Sequence, residues 1–320
     1  MRALVTGCAG FIGSHLTESL LQDGAEVVGI DCFNDNYGRP QKLRNLEQAR
    51  EWERFDFVPI DLSRGDLEDL VREVDVVFHL AAEPGVRASW GPRFDAYVRN
   101  NILATQHLLD AVRSASGSRF VYASSSSVYG QAESFPTPED VLPRPFSPYG
   151  VTKLSAEHLC QLYHANYGVQ TVSLRFFSVF GPRQRPDMAF NIFCRAAVAG
   201  EPLRIFGDGS QTRDFTYVSD VVAATRAAAE RPVVGGVYNV GGGSQVSLSR
   251  AVELIAELAG RRLAIEHLPH EDGDVKDTGA DVTRAGQELG FEASVAFEAG
   301  LREEFEWVLE ANRALPPAPA

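Results

Sequence analysis

Arg2-Ala3-Leu4-Val5-Thr6-Gly7-Cys8-Ala9-Gly10-Phe11-Ile12-Gly13 opens the chain, and the order of its residue types decides the fold. An apolar run over residues 2–6 predicts a short strand that ends in a glycine turn, after which Ile12, Leu16, Leu20 and Leu21 recur at helical spacing. Strand, glycine turn and helix start in this order form a dinucleotide cradle. Glycines at 7, 10 and 13 permit the tight turn, let the backbone approach a pyrophosphate and allow the helix to pack on the strand, with Phe11 and Ile12 in the same cradle. Glu26–Ile30 reads as a second strand ending at Asp31, about the distance downstream at which a carboxylate bonds a ribose diol. An acid there repels a 2′-phosphate, so NAD is expected rather than NADP; the competing reading of Asp31 is a strand-end turn residue.

Further β/α units follow. Phe55–Ile60 leads to Asp61-Leu62, where the acid meets the adenine, and Asp66–Glu73 supplies a helix. Asp75–Leu80 leads to Ala81-Ala82, small residues that let a cofactor lie close. This alternation predicts an α/β fold, a doubly wound parallel sheet with ligands at the carboxyl ends of its strands. Residues 94–115 and 148–167 read as two long helices, the first with Ile102, Leu108, Leu109 and Val112 among its apolar positions. Their stripes meet either a second subunit, giving a homodimer through a four-helix bundle, or the protomer's own sheet. Arg119–Ser124 is a strand that delivers Ser124-Ser125-Ser126-Ser127 at its carboxyl end, and Thr171–Phe177 is the sixth strand. The proline-rich loop Gly181–Met188 and helix Ala189–Ala199 then open a smaller lobe containing a strand at Leu203–Phe206, and Val237–Val240 returns to the main sheet. The expected division is residues 1–177 with a return segment at 233–245, an interleaved lobe over 178–312, and a disordered tail at 313–320.

Within Ser147-Pro148-Tyr149-Gly150-Val151-Thr152-Lys153, a helix starting at Pro148 projects Tyr149 and Lys153 from one face, with Cβ atoms roughly 5–6 Å apart. An ammonium beside a phenol favours the phenolate, which makes the pair a proton-transfer device, and a nearby serine hydroxyl holds the substrate oxygen or relays its proton. The plain reading is a helix cap and a solvated lysine.

Composition bounds the partners. With 320 residues, 44% of them apolar, the chain buries a substantial core, and its net charge of −13 argues against nucleic-acid and anionic-membrane surfaces. Small molecules are the expected partners. No signal-type run, membrane span, CxxC pair or HExxH spacing is present, so a cytoplasmic protein with reduced thiols and no metal is expected.

Taken together, residues 6–16, Asp31, Leu80-Ala81-Ala82, Ser124–Gly130 and Ser147–Lys153 resemble the extended short-chain dehydrogenase/reductases that act on nucleotide sugars, with matches from Gly7 to about Asp281. The resemblance implies that Tyr149 is the base, that Lys153 holds the nicotinamide ribose and lowers the tyrosine pKa, and that Ser125 assists. Ser126 and Ser127 would line the sugar pocket. Dehydratases of this kind carry an Asp-Glu pair where Ser126 and Ser127 stand, and UDP-glucuronate decarboxylases a glutamate at the Ser127 position, which leaves an epimerase. Pro84–Arg87, Arg175–Pro182 and Arg183–Ala189 resemble most the UDP-glucuronate 4-epimerases, with a UDP-sugar as substrate. In that reading Ser178 and the planar fork of Arg185 contact the uronate, with Arg87 as a further candidate. A surface role or a pyrophosphate contact are the alternatives for Arg185. Arg213 resembles the family's pyrophosphate arginine and Asp274 an acid at the nucleotide end, while Glu271 stands where galactose epimerases carry an arginine. UDP-glucose 4-epimerase, UDP-glucuronate decarboxylase and a silent NAD sensor are the competing functions.

Overall fold

The structure, a computed structural model, describes residues 1–115, 117–231, 233–243, 245–269 and 273–313. Glu271 and the tail beyond Arg313 lie outside the described residues. In chain order the elements are β1 (Arg2–Thr6), α1 (Phe11–Gln22), β2 (Glu26–Ile30), α2 (Arg39–Asn45), β3 (Phe55–Val58), α3 (Glu68–Val71) and β4 (Val76–His79). Next come α4 (Phe94–Tyr97), a π-helical turn (Val98–Leu103), α5 (Ala104–Ala115), β5 (Arg119–Ser125), α6 (Pro148–Tyr167), β6 (Gln170–Phe176), β7 (Ser178–Phe180) and α7 (Ala189–Ala199). The remainder is β8 (Leu203–Phe206), β9 (Thr212–Tyr217), α8 (Val218–Glu230), β10 (Val237–Val240), β11 (Gln245–Ser247), α9 (Leu248–Ala259), β12 (Ile265–Leu268), α10 (Thr283–Leu289) and α11 (Phe297–Arg313).

Seven strands pair in parallel in the order β10-β6-β5-β4-β1-β2-β3. Side chains alternate across each strand, so the sheet feeds two cores. On one face Ala3, Val5, Val27, Val76, Phe78 and Val121 pack with Leu16, Leu20, Leu21 of α1 and Val221, Val222 of α8. On the other Leu4, Val28, Val77, Phe120 and Tyr122 pack with Leu108, Leu109 and Val112 of α5 and Ala156 and Cys160 of α6. The α5 stripe is therefore spent on the protomer's own sheet. What the outer surface keeps is Leu103, Val151 and Leu162, all exposed.

The helix expected over residues 94–115 is not uniform. Its middle widens into the π-helical turn, which inserts an extra residue and brings two successive asparagines, Asn100 and Asn101, to bond the same residue, Glu83. The helix expected at 66–73 shortens to Glu68–Val71, and the strands expected to reach Ile60 and Leu80 stop at Val58 and His79.

Two small sheets lie beyond the main one, β11-β9-β7 and β12-β8. Between them and α7 and α11 sits an aromatic cluster: Phe190 and Phe215 rings are 4.6 Å apart, Phe180 and Phe297 5.2 Å, and Phe215 stacks on Phe297 at 5.3 Å. This cluster belongs to the same continuous core as one face of the main sheet. Among the described residues no helix is long and apolar enough to cross a membrane.

Candidate active site

Strand order reverses between β1 and β4, and a cleft of about 430 Å³ opens there at the carboxyl ends of the strands. The glycine loop with Phe11 and Ile12, Asp31, Asp61-Leu62 and Leu80-Ala81-Ala82 all line it. Gly7 has φ +71°, and a Cβ there would lie 2.9 Å from the Ala81 nitrogen; a Cβ on Gly13 would lie 2.1 Å from the Gly7 oxygen. Only glycine fits either place. Helix α1 starts from Gly10 with no side-chain cap, so its first amides face the cleft as an anion site. Asp31 accepts a hydrogen bond from the Phe33 amide at 2.8 Å; burial raises its pKa and the Lys42 charge draws it back. Open amides at a helix start and a half-buried carboxylate at the second strand end fit a dinucleotide.

The candidate proton-transfer pair is built on α6. Ser147 caps this helix by accepting from the Gly150 amide at 3.1 Å, Pro148 takes the first turn, and Gly168 at φ 71° ends it. Tyr149 and Lys153 therefore share a face, and both line the cleft with Ser125, Ser126 and Ser127 from the end of β5. The Tyr149 ring meets Tyr97 edge-on at 6.3 Å, and Tyr97 is itself fixed by bonds from its hydroxyl to the Pro84 oxygen (2.7 Å) and the Gly85 oxygen (2.9 Å). Burial raises the Tyr149 pKa, opposed by a hydrogen bond with Ser125 and by the charge of Arg185. Lys153, 3% exposed with its Nζ 4.6 Å from the centre of the Tyr122 ring, is pushed down to about 7 by burial, opposed by Cys160 and Glu157. Ser125 and Arg185 thus draw the phenol toward ionisation against its burial, while desolvation lowers the share of Lys153 that carries a charge.

Arg185 and Ser178 also line the cleft. The Arg185 fork is engaged by Asp187, Nε to Oδ1 at 3.0 Å and Nη2 to Oδ2 at 2.8 Å. Arg87, Arg213 and Asp274 stand outside this lining and cluster with one another. Arg87 bonds Asp274 at 2.6 Å and lies over the Phe206 ring at 4.0 Å. Arg213 donates to the carbonyls of Thr212 (2.9 Å), Lys276 (2.8 Å) and Val275 (2.6 Å).

The sequence reading passed over several groups. Asn34, Asn36, Tyr37 and Lys42 line the cleft beside Asp31. Glu83, 3% exposed, accepts from Asn100 (2.9 Å), Asn34 (3.2 Å) and Arg93 (3.1 Å). Asn101 bridges the Glu83 backbone to Thr152, whose hydroxyl donates to the Tyr149 carbonyl at 2.8 Å. Successive asparagines inside a helical pattern were the available signal, since asparagine is a poor helix former.

Comparisons agree with this architecture. A crystal structure of UDP-glucuronic acid 4-epimerase from Bacillus cereus in complex with UDP-glucuronic acid and NAD is 44% identical, with a TM-score of 0.95 over 97% of this chain and 100% of that one. UDP-glucuronate 4-epimerase of Thermodesulfobacterium geofontis is 38% identical over 312 residues, 96% of each chain. A Bacillus subtilis protein described as an uncharacterized UDP-glucose epimerase, YtcB, is 44% identical over 310 residues, 96% of this chain and 98% of its own length. The family model for NAD dependent epimerases and dehydratases matches residues 3–241, and the chain belongs to that family.

Proposed function

We propose that this chain is an NAD-dependent UDP-glucuronate 4-epimerase that interconverts UDP-glucuronate and UDP-galacturonate. The observation that carries the reading is Arg185 lining the same cleft as Tyr149, in a chain 44% identical to the Bacillus cereus protein bound to UDP-glucuronic acid and NAD. In this reading the glycine loop and the start of α1 hold the pyrophosphate of NAD, Asp31 the adenosine ribose, Asp61 and Leu62 the adenine, and Lys153 the nicotinamide ribose, above Leu80–Ala82. NAD bound there would supply the hydride acceptor for oxidation at carbon 4 of the sugar and, once reduced, the donor for re-reduction from the opposite face. Tyr149 takes the proton of the 4-hydroxyl as base and gives it back as acid, with Ser125 on the same oxygen. Residues 1–177 with 233–245 serve the cofactor, and residues 178–312 hold the nucleotide sugar, with Arg87, Arg213 and Asp274 at its nucleotide end.

While oxidised at carbon 4 the sugar is a β-keto acid, and it loses carbon dioxide if the breaking bond aligns with the carbonyl π system. Ser178, Arg185 and the serine run hold the carboxylate near the carbonyl plane, and the absence of acids at Ser126 and Ser127 separates this site from the dehydratases and decarboxylases. A homodimer is part of the proposal, through the outer faces of α6 and of the π-helical turn that leads into α5, where Leu103, Val151 and Leu162 are exposed. So is a cytoplasmic location, consistent with four unpaired cysteines.

One observation favours a second reading, UDP-glucose 4-epimerase: the Arg185 fork already has a carboxylate partner in Asp187. The deciding experiment incubates purified protein with UDP-glucuronate, adds no cofactor, and follows the sugar by proton NMR. UDP-galacturonate without carbon dioxide supports the proposal. UDP-xylose makes the protein a decarboxylase, and turnover of UDP-glucose alone makes the second reading correct.

A further inference from the structure

The connection from β7 to α7 carries Arg185, and each residue before that arginine is gripped from another element. Gly181 donates its amide to Glu304 Oε2 of α11 at 2.8 Å. The Pro182 oxygen accepts from His15 Nε2 at 2.9 Å. Arg183 Nη2 donates to Glu18 Oε2 at 3.0 Å and lies 2.9 Å from Oε1. The Gln184 oxygen accepts from Asn191 Nδ2 at 2.6 Å and from Gln41 Nε2 at 3.4 Å. Arg183 has φ +66°, the left-handed region that a residue with a Cβ adopts only when its surroundings impose it.

Two of these grips come from one helix. His15 and Glu18 are three residues apart on α1, hence on the same face, and they hold the adjacent residues Pro182 and Arg183. Helix α1 is also the element whose uncapped start faces the cleft at the glycine loop. His15 is half-buried and neutral at ordinary pH, its pKa pushed down to about 4 by burial and by Arg183, and the Pro182 carbonyl, which can only accept, selects the tautomer protonated at Nε2. The pair does not look built for stability alone. Among the described residues Glu18 Oε1 and Arg183 Nη1 are buried without a hydrogen-bond partner, and a buried ion pair with unmet atoms is a weak source of stability.

We propose that His15 and Glu18 are positioning residues that hold Pro182 and Arg183 against the glycine-loop helix, and so set Arg185 at the distance that lets it discriminate a uronate from a neutral sugar. The seat of the cofactor and the reader of the sugar carboxylate then share one rigid element. This rests on the assignment of Arg185 to the carboxylate. A misplacement of about 1 Å by a change remote from the chemistry can cost up to about 100-fold in rate, which covers the effect asked of this clamp on substrate choice.

The test uses the NAD-bound protein and Glu18→Gln, with His15→Ala as a second variant should the first fold poorly. The ratio of kcat/KM for UDP-glucuronate to that for UDP-glucose should fall on the order of tenfold in Glu18→Gln. In an Arg185→Ala background the same substitution should leave that ratio unmoved, because the residue it acts through is gone. Hydrogen exchange over residues 181–188 should quicken in both variants while exchange in β1 and β4 stays as in the wild type. Equal losses for both sugars, a further fall of the ratio without Arg185, or unchanged exchange over 181–188 would each overturn the proposal. A wild type that ignores UDP-glucuronate fails the functional reading instead, and shows itself before any variant is made.

Discussion

Two buried arginine–glutamate pairs divide this molecule. Beneath the candidate proton-transfer pair, Arg175 of β6 meets Glu157 of α6 as a fork, Nε to Oε2 at 3.1 Å and Nη2 to Oε1 at 2.6 Å, with side chains 4% and 1% exposed. Among the described residues, no buried polar atom of this pair lacks a partner: Ser124 donates to Glu157 at 2.7 Å, and Arg175 Nη1 donates to the Tyr129 hydroxyl at 2.8 Å and the Glu139 oxygen at 3.1 Å. Tyr129 in turn donates to Asn239 of β10 at 2.7 Å. Behind the Arg185 loop, Arg183 and Glu18 meet through a single nitrogen, are 18% and 10% exposed, and leave atoms unpartnered. The first pair locks β5, β6, β10 and α6 under Lys153, whose charge Glu157 supports. The second joins a helix to a loop and leaves two buried polar atoms unpartnered. A fully satisfied network adds rigidity to the core around it, whereas a partly satisfied one can hold a loop in place while adding little stability.

The largest break in this contrast should come from Glu157→Gln. It strands a buried guanidinium and should cost about 3–5 kcal/mol in denaturant unfolding. A loss below about 1 kcal/mol would put both pairs in the same class. Arg185→Ala should lower kcat/KM on UDP-glucuronate by about 10- to 100-fold, the worth of a charged hydrogen bond, with little effect on UDP-glucose. Equal effects on both sugars would remove the carboxylate from its role. Glu18→Gln should cost about 1 kcal/mol in stability, well short of Glu157→Gln, because its surroundings already leave atoms unpaired.

The loop region should also carry its own pH signature. Glu304, wholly buried with its carboxylate on the Gly181 amide, has a pKa raised well above 4.5 by burial. The folded chain therefore keeps this proton longer than the unfolded one, so the contribution to stability falls as pH rises from about 4.5 through the raised pKa. Glu304→Gln, which resembles the protonated form, should flatten that slope in unfolding measurements between pH 5 and about 8. A wild-type slope that survives the substitution would assign it to other groups. The smallest effect is expected of Asp187→Asn: with the Arg185 fork released, KM for UDP-glucuronate should drop about twofold, and an increase would mean that Asp187 aims the arginine rather than occupying it.

The legible parts of this site are those that a single β/α unit or helical turn contains. Gly7, Gly10, Gly13 and Asp31 were readable because glycine spacing and one strand length fix where they fall, and Tyr149 with Lys153 because four residues make one turn. Regular alternation likewise announced the parallel sheet. Illegible were the partners. Arg175 finds Glu157 only because β6 lies beside β5 and α6 covers both, and Glu83 finds Asn100 and Asn101 only because a turn of helix widens. Which of the two partners the α5 stripe would meet was illegible for the same reason, since an apolar face does not say which neighbour will cover it.

The sequence by itself thus determined the backbone plan and the shared helix face of Tyr149 and Lys153, because hydrophobic period, glycine conformation and turn spacing act over a few residues. Only the tertiary structure decided what those groups experience. Burial of Lys153 and Tyr149, the engagement of Arg185 by Asp187, and a contact between Glu18 and Arg183 across 165 positions of chain all depend on strand order and on how the smaller sheets dock. Electrostatic strength inside a protein follows the surrounding dielectric and the nearest charges, and neither is a property of a residue's place in the chain.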